Sequence, residues 1–299
     1  MISNGCNNAF GYCAPQALKV STDGFCGPNH ANTYCPHNQC CSSAGVCDTV
    51  QSSCGAGCQP AFGLCSATIT PTAVPSTTPL PSNIGTNWNQ ISPFTNCINP
   101  KHVALTFDDG PDPSIIAQVM AAAKAQTPPI PLTFFEIGNN VLANPGVSAT
   151  VAGTSGFFVA DHTMDHPSAI GMFDTDIYNE ASQCAAALKT ANGKNVQYFR
   201  PPYGEYTPAS MKVWNGLGLF VISWSITSND FADPANGAAA LANVQAGLAA
   251  APGVGHIVLC HDIHTACLSV FPSIVSTFQQ AGYTFVDLQT CTGVAPYKP

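Results

Sequence analysis

Charge is scarce in this chain. Asp, Glu, Lys and Arg make up 8% of its 299 residues, against about a quarter in ordinary soluble domains. Ser, Thr, Asn, Gln and Gly must therefore cover the surface. The eight basic residues are scattered without a run and the net charge is −8. That argues against nucleic acid and against acidic membrane surfaces, because both are gripped by clustered Lys and Arg. No run of about 18 apolar residues occurs, so no membrane span is expected. The first residues, Met1-Ile2-Ser3-Asn4-Gly5-Cys6, also lack the charged-then-apolar order of a secretory leader, as expected of a mature or trimmed form. A neutral, hydroxyl-rich partner such as a carbohydrate suits this composition better.

Cysteine, by contrast, is abundant. Ten of the 15 cysteines fall within the first 65 residues, the density of a small scaffold held by disulfides because its core is too small to hold it. Disulfides persist in oxidising compartments, so a secreted protein of the extracellular space or cell wall is expected. Residues 5–13 (GCNNAFGYC) echo residues 57–65 (GCQPAFGLC), so residues 1–22 read as the remnant of a preceding repeat and 23–65 as a complete one. Residues 66–87 are rich in Ser, Thr and Pro and read as an extended linker. Residues 88–299 form one larger domain. Hydrophobic residues at 45% suffice for a sizeable core.

In that domain, apolar runs at 102–107, 132–135, 157–160, 196–199, 219–224, 256–260 and 283–288 alternate with helix-like stretches at 114–126, 175–191, 208–217, 236–250 and 268–281. Repeated strand–helix alternation predicts an α/β fold with a parallel sheet, open or closed into a barrel. The few charged and polar residues collect just after the strands, where the loops at carboxyl ends converge on α/β active sites.

Four segments carry chemistry. Thr106-Phe107-Asp108-Asp109-Gly110-Pro111 places two carboxylates side by side at a strand end. They repel unless a cation or arginine lies between them, although Asp-Gly also reads as a solvated turn. Asp161-His162-Thr163-Met164-Asp165-His166 sets two imidazoles four residues apart, a spacing that suits one zinc completed by a carboxylate from elsewhere. The glutamate of the His-Glu-x-x-His proteases is absent, and two surface histidines are the plainer alternative. Arg200-Pro201-Pro202-Tyr203-Gly204 holds the only arginine of the chain, where a planar fork could hold a carboxylate in position and ionised. Leu259-Cys260-His261-Asp262-Ile263-His264 offers a histidine at a strand end as a general acid, with Asp230 as its orienting partner.

In this order the segments resemble the polysaccharide deacetylases of carbohydrate esterase family 4, the NodB-like domain, over about residues 97–291. The resemblance implies a distorted (β/α) barrel of about seven parallel strands. It implies Asp108 as general base and Asp109, His162 and His166 as ligands of one divalent metal, zinc or cobalt. It further implies Arg200 orienting the base, a Tyr203 backbone N–H facing the oxyanion, Leu259 in the pocket and His261 as general acid. Thr227 and Phe231 stand where the family usually has an aspartate and a tryptophan, while Asp230 is retained.

The complete cysteine repeat resembles the hevein-like chitin-binding modules, which implies pairings 26–41, 35–47, 40–54 and 58–65. Of the family's sugar-binding set only Ser42 survives; the aromatic positions hold Ala44, Val46 and Ser53, so weak chitin binding or none is expected. Cys97 and Cys291 bracket the larger domain and are expected to pair. One of Cys184, Cys260 and Cys267 must stay unpaired. Together these readings predict a monomeric, metal-dependent deacetylase of chitin or chitooligosaccharides. Peptidoglycan or acetylxylan as substrate, or an inactive cell-wall chitin-binding protein, are the alternatives.

Overall fold

The computed structural model describes residues 21, 25–30, 33, 35, 40–48, 57–59, 62 and 90–298. The chain divides into two compact units, Met1–Ser82 and Asn83–Pro299. The proposed linker at 66–87 and nearly all of the repeat remnant at 1–22 lie outside the described residues.

In the first unit, β1 (Cys40–Cys41) and β2 (Cys47–Asp48) form a two-stranded antiparallel ladder. Disulfides Cys26–Cys41 and Cys35–Cys47 tie it together, and Cys26, Cys35 and Cys41 are its buried core. These are two of the four pairings the resemblance implies. Cys54 and Cys65, the partners it implies for Cys40 and Cys58, lie outside the described residues.

The second unit is a curled half-barrel of parallel strands wrapped by helices. Its strands are β3 (His102–Asp108), β4 (Leu132–Glu136), β5 (Phe157–Asp161), β6 (Tyr198–Phe199), β7 (Phe220–Val221), β8 (Ile226–Thr227), β9 (His256–His261) and β10 (Thr284–Phe285). Seven follow the path β7-β6-β5-β4-β3-β9-β8, and β10 pairs with the start of β3. The helices are α1 (Pro113–Lys124), α2 (Gly138–Ala143), α3 (Pro145–Ala152), α4 (Asp174–Asn192), α5 (Pro208–Gly216), α6 (Gly237–Ala250), α7 (Thr265–Ser269), α8 (Phe271–Gln280) and α9 (Leu288–Thr292).

The alternation of side chains along a strand decides which residues meet the helices and which face the inside of the curl. Val103, Leu105 and Phe107 of β3 join Leu132 and Phe134 of β4 in the core shared with the helices. Ala104, Phe135, Ala160 and Ile257 belong to the inner cluster. The same alternation puts Thr106 and Asp108 on the inner face, and Glu136 and Asp161 on the helix face. Helix starts follow local rules: Asp112 Oδ1 accepts from Ser114 and Ile115 N–H ahead of α1, and Thr207 and Ser210 form a reciprocal capping box on α5.

Several boundaries differ from the sequence reading. The run 219–224 holds only the two-residue β7, and β8 is a separate strand beyond it. The stretch 268–281 is split into α7 and α8 around Val270, with Pro272 in the first turn of α8. The run 283–288 is strand only over β10, because Asp287 accepts from Thr290 N–H and starts α9. Cys97–Cys291 joins the two ends of the unit. Cys260 pairs with Cys267, leaving Cys184 as a free, buried thiol.

Candidate active site

Every chemically active side chain of the α/β unit lies at the carboxyl end of a strand or in the turn that follows. Asp108 ends β3 on the inner face and is 2% exposed. Its Oδ1 accepts from Arg200 Nη1 at 2.6 Å. Arg200 follows β6 and is fully buried, and all its nitrogens are engaged: Nη1 also donates to Thr106 Oγ1 (2.8 Å), Nε to the Ile222 carbonyl (3.2 Å) and Nη2 to the Ser223 carbonyl (3.1 Å). The guanidinium lies 4.0 Å above the Phe135 ring, with Trp224 at 5.6 Å. Burial pulls the Arg200 pKa down against the counter-charge of Asp108, and such a pair is stable in the interior only because hydrogen bonds satisfy both ions.

One residue on, the backbone turns over. Asp109 has φ +76° and points away from the arginine, into a cluster with His162 and His166. His162 Nε2 is 3.3 Å and His166 Nε2 3.2 Å from Asp109 Oδ1, and the three donor atoms lie within 4.8 Å of one another. Burial alone would raise the Asp109 pKa, but the two imidazoles outweigh it and hold the carboxyl well below the usual range. Burial opposes charging of His162 as well, yet the negative charges of Asp108 and Asp109 lift its pKa above that of free imidazole.

These residues fit a divalent metal on their own geometry. His162 Nδ1 lies 2.7 Å from the Arg200 carbonyl, so it carries a proton and directs Nε2 at the carboxylate. Asp109 Oδ1 is buried and makes no directed hydrogen bond. Two ring nitrogens and a carboxylate oxygen thus converge with hydrogen-bonding capacity to spare, the donor set of three-ligand catalytic zinc sites.

His261 ends β9, the strand beside β3, level with Asp108. Its Nδ1 lies 2.6 Å from Asp230 Oδ1, and its backbone N–H donates to Asp230 Oδ2 at 2.9 Å. Nε2 faces the cleft, 4.0 Å from Asp109 Oδ2. Burial disfavours the imidazolium, but the Asp230 hydrogen bond and the charges of Asp108, Asp230 and Asp109 overcome it, so the His261 pKa is raised. Asp230 therefore keeps its hold on the imidazole although Thr227 replaces the aspartate three residues earlier. Phe231 presents an edge to His261 at 5.9 Å and is itself 57% exposed.

Tyr203 occupies a single 3-10 turn, Pro202–Gly204, at φ +60°, with its ring edge-on to His166 (centroids 4.8 Å apart). Gly204 follows at φ +70°, where a Cβ would come within 2.8 Å of Trp224, so glycine is required twice over. Leu259 faces the inside of the curl two residues before His261 and is 3% exposed, a packed floor. Ser42 belongs to the other unit, where its Oγ accepts from Val46 N–H.

The structure brings together eight sequence-predicted residues, Asp108, Asp109, His162, His166, Arg200, Tyr203, Asp230 and His261. Thr106, Phe135 and Trp224, which hold the arginine, were not read in that role, because an inward threonine and two aromatics carry no signal of their own. Two acids on the helix face were likewise given no role of their own: burial pushes Glu136 up to about 8 and Asp161 up to about 7. Ser148 Oγ donates to Glu136 at 2.5 Å.

A curled parallel sheet carries an Asp/His/His cluster beside a buried Asp–Arg pair and an Asp-held histidine, an arrangement suited to a cation and to acid–base chemistry. Residues 95–222 match the family described as polysaccharide deacetylase. A chitooligosaccharide deacetylase of Bradyrhizobium sp. is 30% identical over 163 residues, covering 54% of this chain and 71% of that protein. A peptidoglycan-N-acetylglucosamine deacetylase of Listeria monocytogenes is 31% identical over 193 residues, 64% of this chain and 39% of its own length. The chain thus spans well under half of that relative. The structure of the chitin deacetylase from Colletotrichum lindemuthianum superposes with a TM-score of 0.64 at 27% identity, covering 69% of this chain and 95% of that one. The chain belongs to the polysaccharide deacetylase family.

Proposed function

We propose that this chain is a metal-dependent deacetylase that hydrolyses the acetamide of chitin or chitin oligosaccharides, releasing acetate and leaving glucosamine units. The observation that carries the reading is the placement of two proton-handling pairs, Asp108–Arg200 and His261–Asp230, on neighbouring strand ends beside the Asp109–His162–His166 cluster. Asp109, His162 and His166 would hold zinc or cobalt, which when bound supplies Lewis acidity toward an acyl carbonyl and toward water.

The protein's own groups account for the proton movements. Arg200 occupies Asp108 Oδ1, while Oδ2 faces the cluster, 3.8 Å from His162 Nε2. Oδ2 accepts the proton of the attacking water as its oxygen bonds to the acetyl carbon. The Tyr203 N–H donates to the developing oxyanion. His261, held at Nδ1 by Asp230, gives its Nε2 proton to the nitrogen as the C–N bond breaks, since an amine anion is too basic to leave unprotonated.

Residues 23–65 are proposed to be a hevein-like module with feeble sugar binding, residues 88–299 the catalytic domain, and the whole secreted to the extracellular space or cell wall. The four disulfides among the described residues support an oxidising compartment. No helix among the described residues is long and apolar enough to cross a membrane.

Acetate release from chitin oligomers, peptidoglycan and acetylated xylan tests the reading, before and after a chelator and again with zinc restored. Release from chitin oligomers that the chelator stops and zinc recovers is expected. Release from one of the other polymers alone moves the substrate, and none from any polymer with zinc present refutes the enzymatic reading.

A further inference from the structure

The segment that carries both histidines is not a helix. Thr163 and His166 sit at φ +66° and +62°, left-handed backbone for a β-branched residue and for a proposed ligand. Such conformations persist where the surroundings over-determine them. Asp161 Oδ1 accepts from Thr163 N–H (2.9 Å) and Thr163 Oγ1 from His166 N–H (3.0 Å). Gly138 and Asn139 N–H donate to the Thr163 and Met164 carbonyls, and Asn139 Nδ2 donates to Asp165 Oδ1 at 2.6 Å. The two amides still to be satisfied, those of Met164 and Asp165, both donate to one atom, Glu180 Oε2, at 2.9 and 3.0 Å.

Glu180 lies in the second turn of α4, outside the strand ends and turns that carry the other site residues. A carboxylate is the fitting acceptor, because one oxygen can receive two parallel N–H groups and charge strengthens both bonds. We infer that Glu180 is a positioning residue: it clamps the backbone between His162 and His166 so that both Nε2 atoms stay on Asp109 Oδ1. The inference rests on the metal reading above and deepens it.

Metal affinity is the direct measure. Zn2+ binding by the full chain, read by competition with a chromophoric chelator, is compared for the wild type, Glu180→Ala and Glu180→Gln, together with the Co2+ absorption spectrum of each. Glu180→Ala is expected to bind about ten- to a hundredfold more weakly, the usual cost of removing an outer support of a ligand, with an altered Co2+ spectrum. Glu180→Gln, whose amide oxygen still accepts from both N–H groups, is expected to restore most of the affinity and the wild-type spectrum. Wild-type affinity and spectrum in Glu180→Ala would overturn the inference, as would a Gln variant that falls as far as Ala. If Glu180→Ala does not fold, Glu180→Asp decides: its shorter side chain withdraws the acceptor from both amides, and unchanged Zn2+ affinity there also overturns it. His166→Ala separates the two readings, because Zn2+ binding that survives that change removes the metal site itself, whatever Glu180 does.

Discussion

The two sides of the cleft handle charge in opposite ways. On the Asp108 side each ion finds its counterpart inside the protein: the carboxylate takes an arginine whose remaining donors go to Thr106, Ile222 and Ser223, and His261 is held twice by Asp230. On the Asp109 side, three donor atoms converge on one another and Asp109 Oδ1 makes no directed hydrogen bond. The lesson is that adjacent aspartates acquire different chemistry from backbone direction alone. Asp108 continues the strand and meets the arginine, whereas Asp109, at φ +76°, turns toward the imidazoles. A side whose charges are matched internally is suited to moving protons. A side of converging lone pairs is suited to a cation.

That contrast is most sharply broken by separating metal content from turnover. His166→Ala is expected to lose bound zinc and acetate release together, turnover falling to background. Asp108→Asn is expected to lower kcat by about a thousandfold, within the range of general-base removal, with zinc retained. Elemental analysis alongside acetate assays checks both, and a zinc-free Asp108→Asn would erase the distinction between the two sides.

Next in size is stability. Arg200→Ala strands Asp108 in the interior without its counter-ion, and breaking a buried pair in this way costs about 3–5 kcal/mol. Urea unfolding of the variant should show that loss, whereas Arg200→Ala, Asp108→Asn together should regain part of it.

A smaller effect sharpens the His261 wall. The general acid must be protonated, and its pKa is raised, so turnover is expected to fall as pH rises through that pKa. Asp230→Asn removes the anion, lowers the pKa and should move the alkaline limb of the kcat profile down by about one unit. A limb that stays in place would take His261 out of the acid role. Comparable in size is the loss of the Cys260–Cys267 bridge, which closes a loop of sequence separation 7 and should contribute about 2 kcal/mol by chain entropy. Guanidinium unfolding of Cys260→Ala, Cys267→Ala measures it, with zinc content expected to be unchanged.

How much of this was legible in advance differs from element to element. β3, β4, β5 and β9 were readable because they are buried on both faces and read as largely apolar runs. β8, α2, α3 and α9 were not: two residues make no pattern, and helices of five to eight residues rich in small side chains have too few turns for a clear period. Arg200 stood out through rarity, while its cradle of Thr106, Phe135 and Trp224 did not, since those residue types are ordinary anywhere in a core. Glu180 falls inside the helix-like stretch 175–191 and belongs to no motif, and nothing local distinguishes a solvated glutamate from one that caps two distant amides. Which cysteine stays free likewise depended on packing, with Cys184 buried against the Glu136 carbonyl.

What the sequence determined by itself was the set of chemical groups and their delivery to strand ends, because a strand, its terminal motif and the following turn are all local. What only the tertiary structure decided was who faces whom: that one aspartate meets the arginine and its neighbour the histidines, that His162 turns Nε2 inward, and that a helix carboxylate braces the loop between the ligands. Those outcomes depend on the register and curl of the sheet, which bring together residues up to about 150 positions apart, and on left-handed backbone that only the surrounding hydrogen bonds sustain.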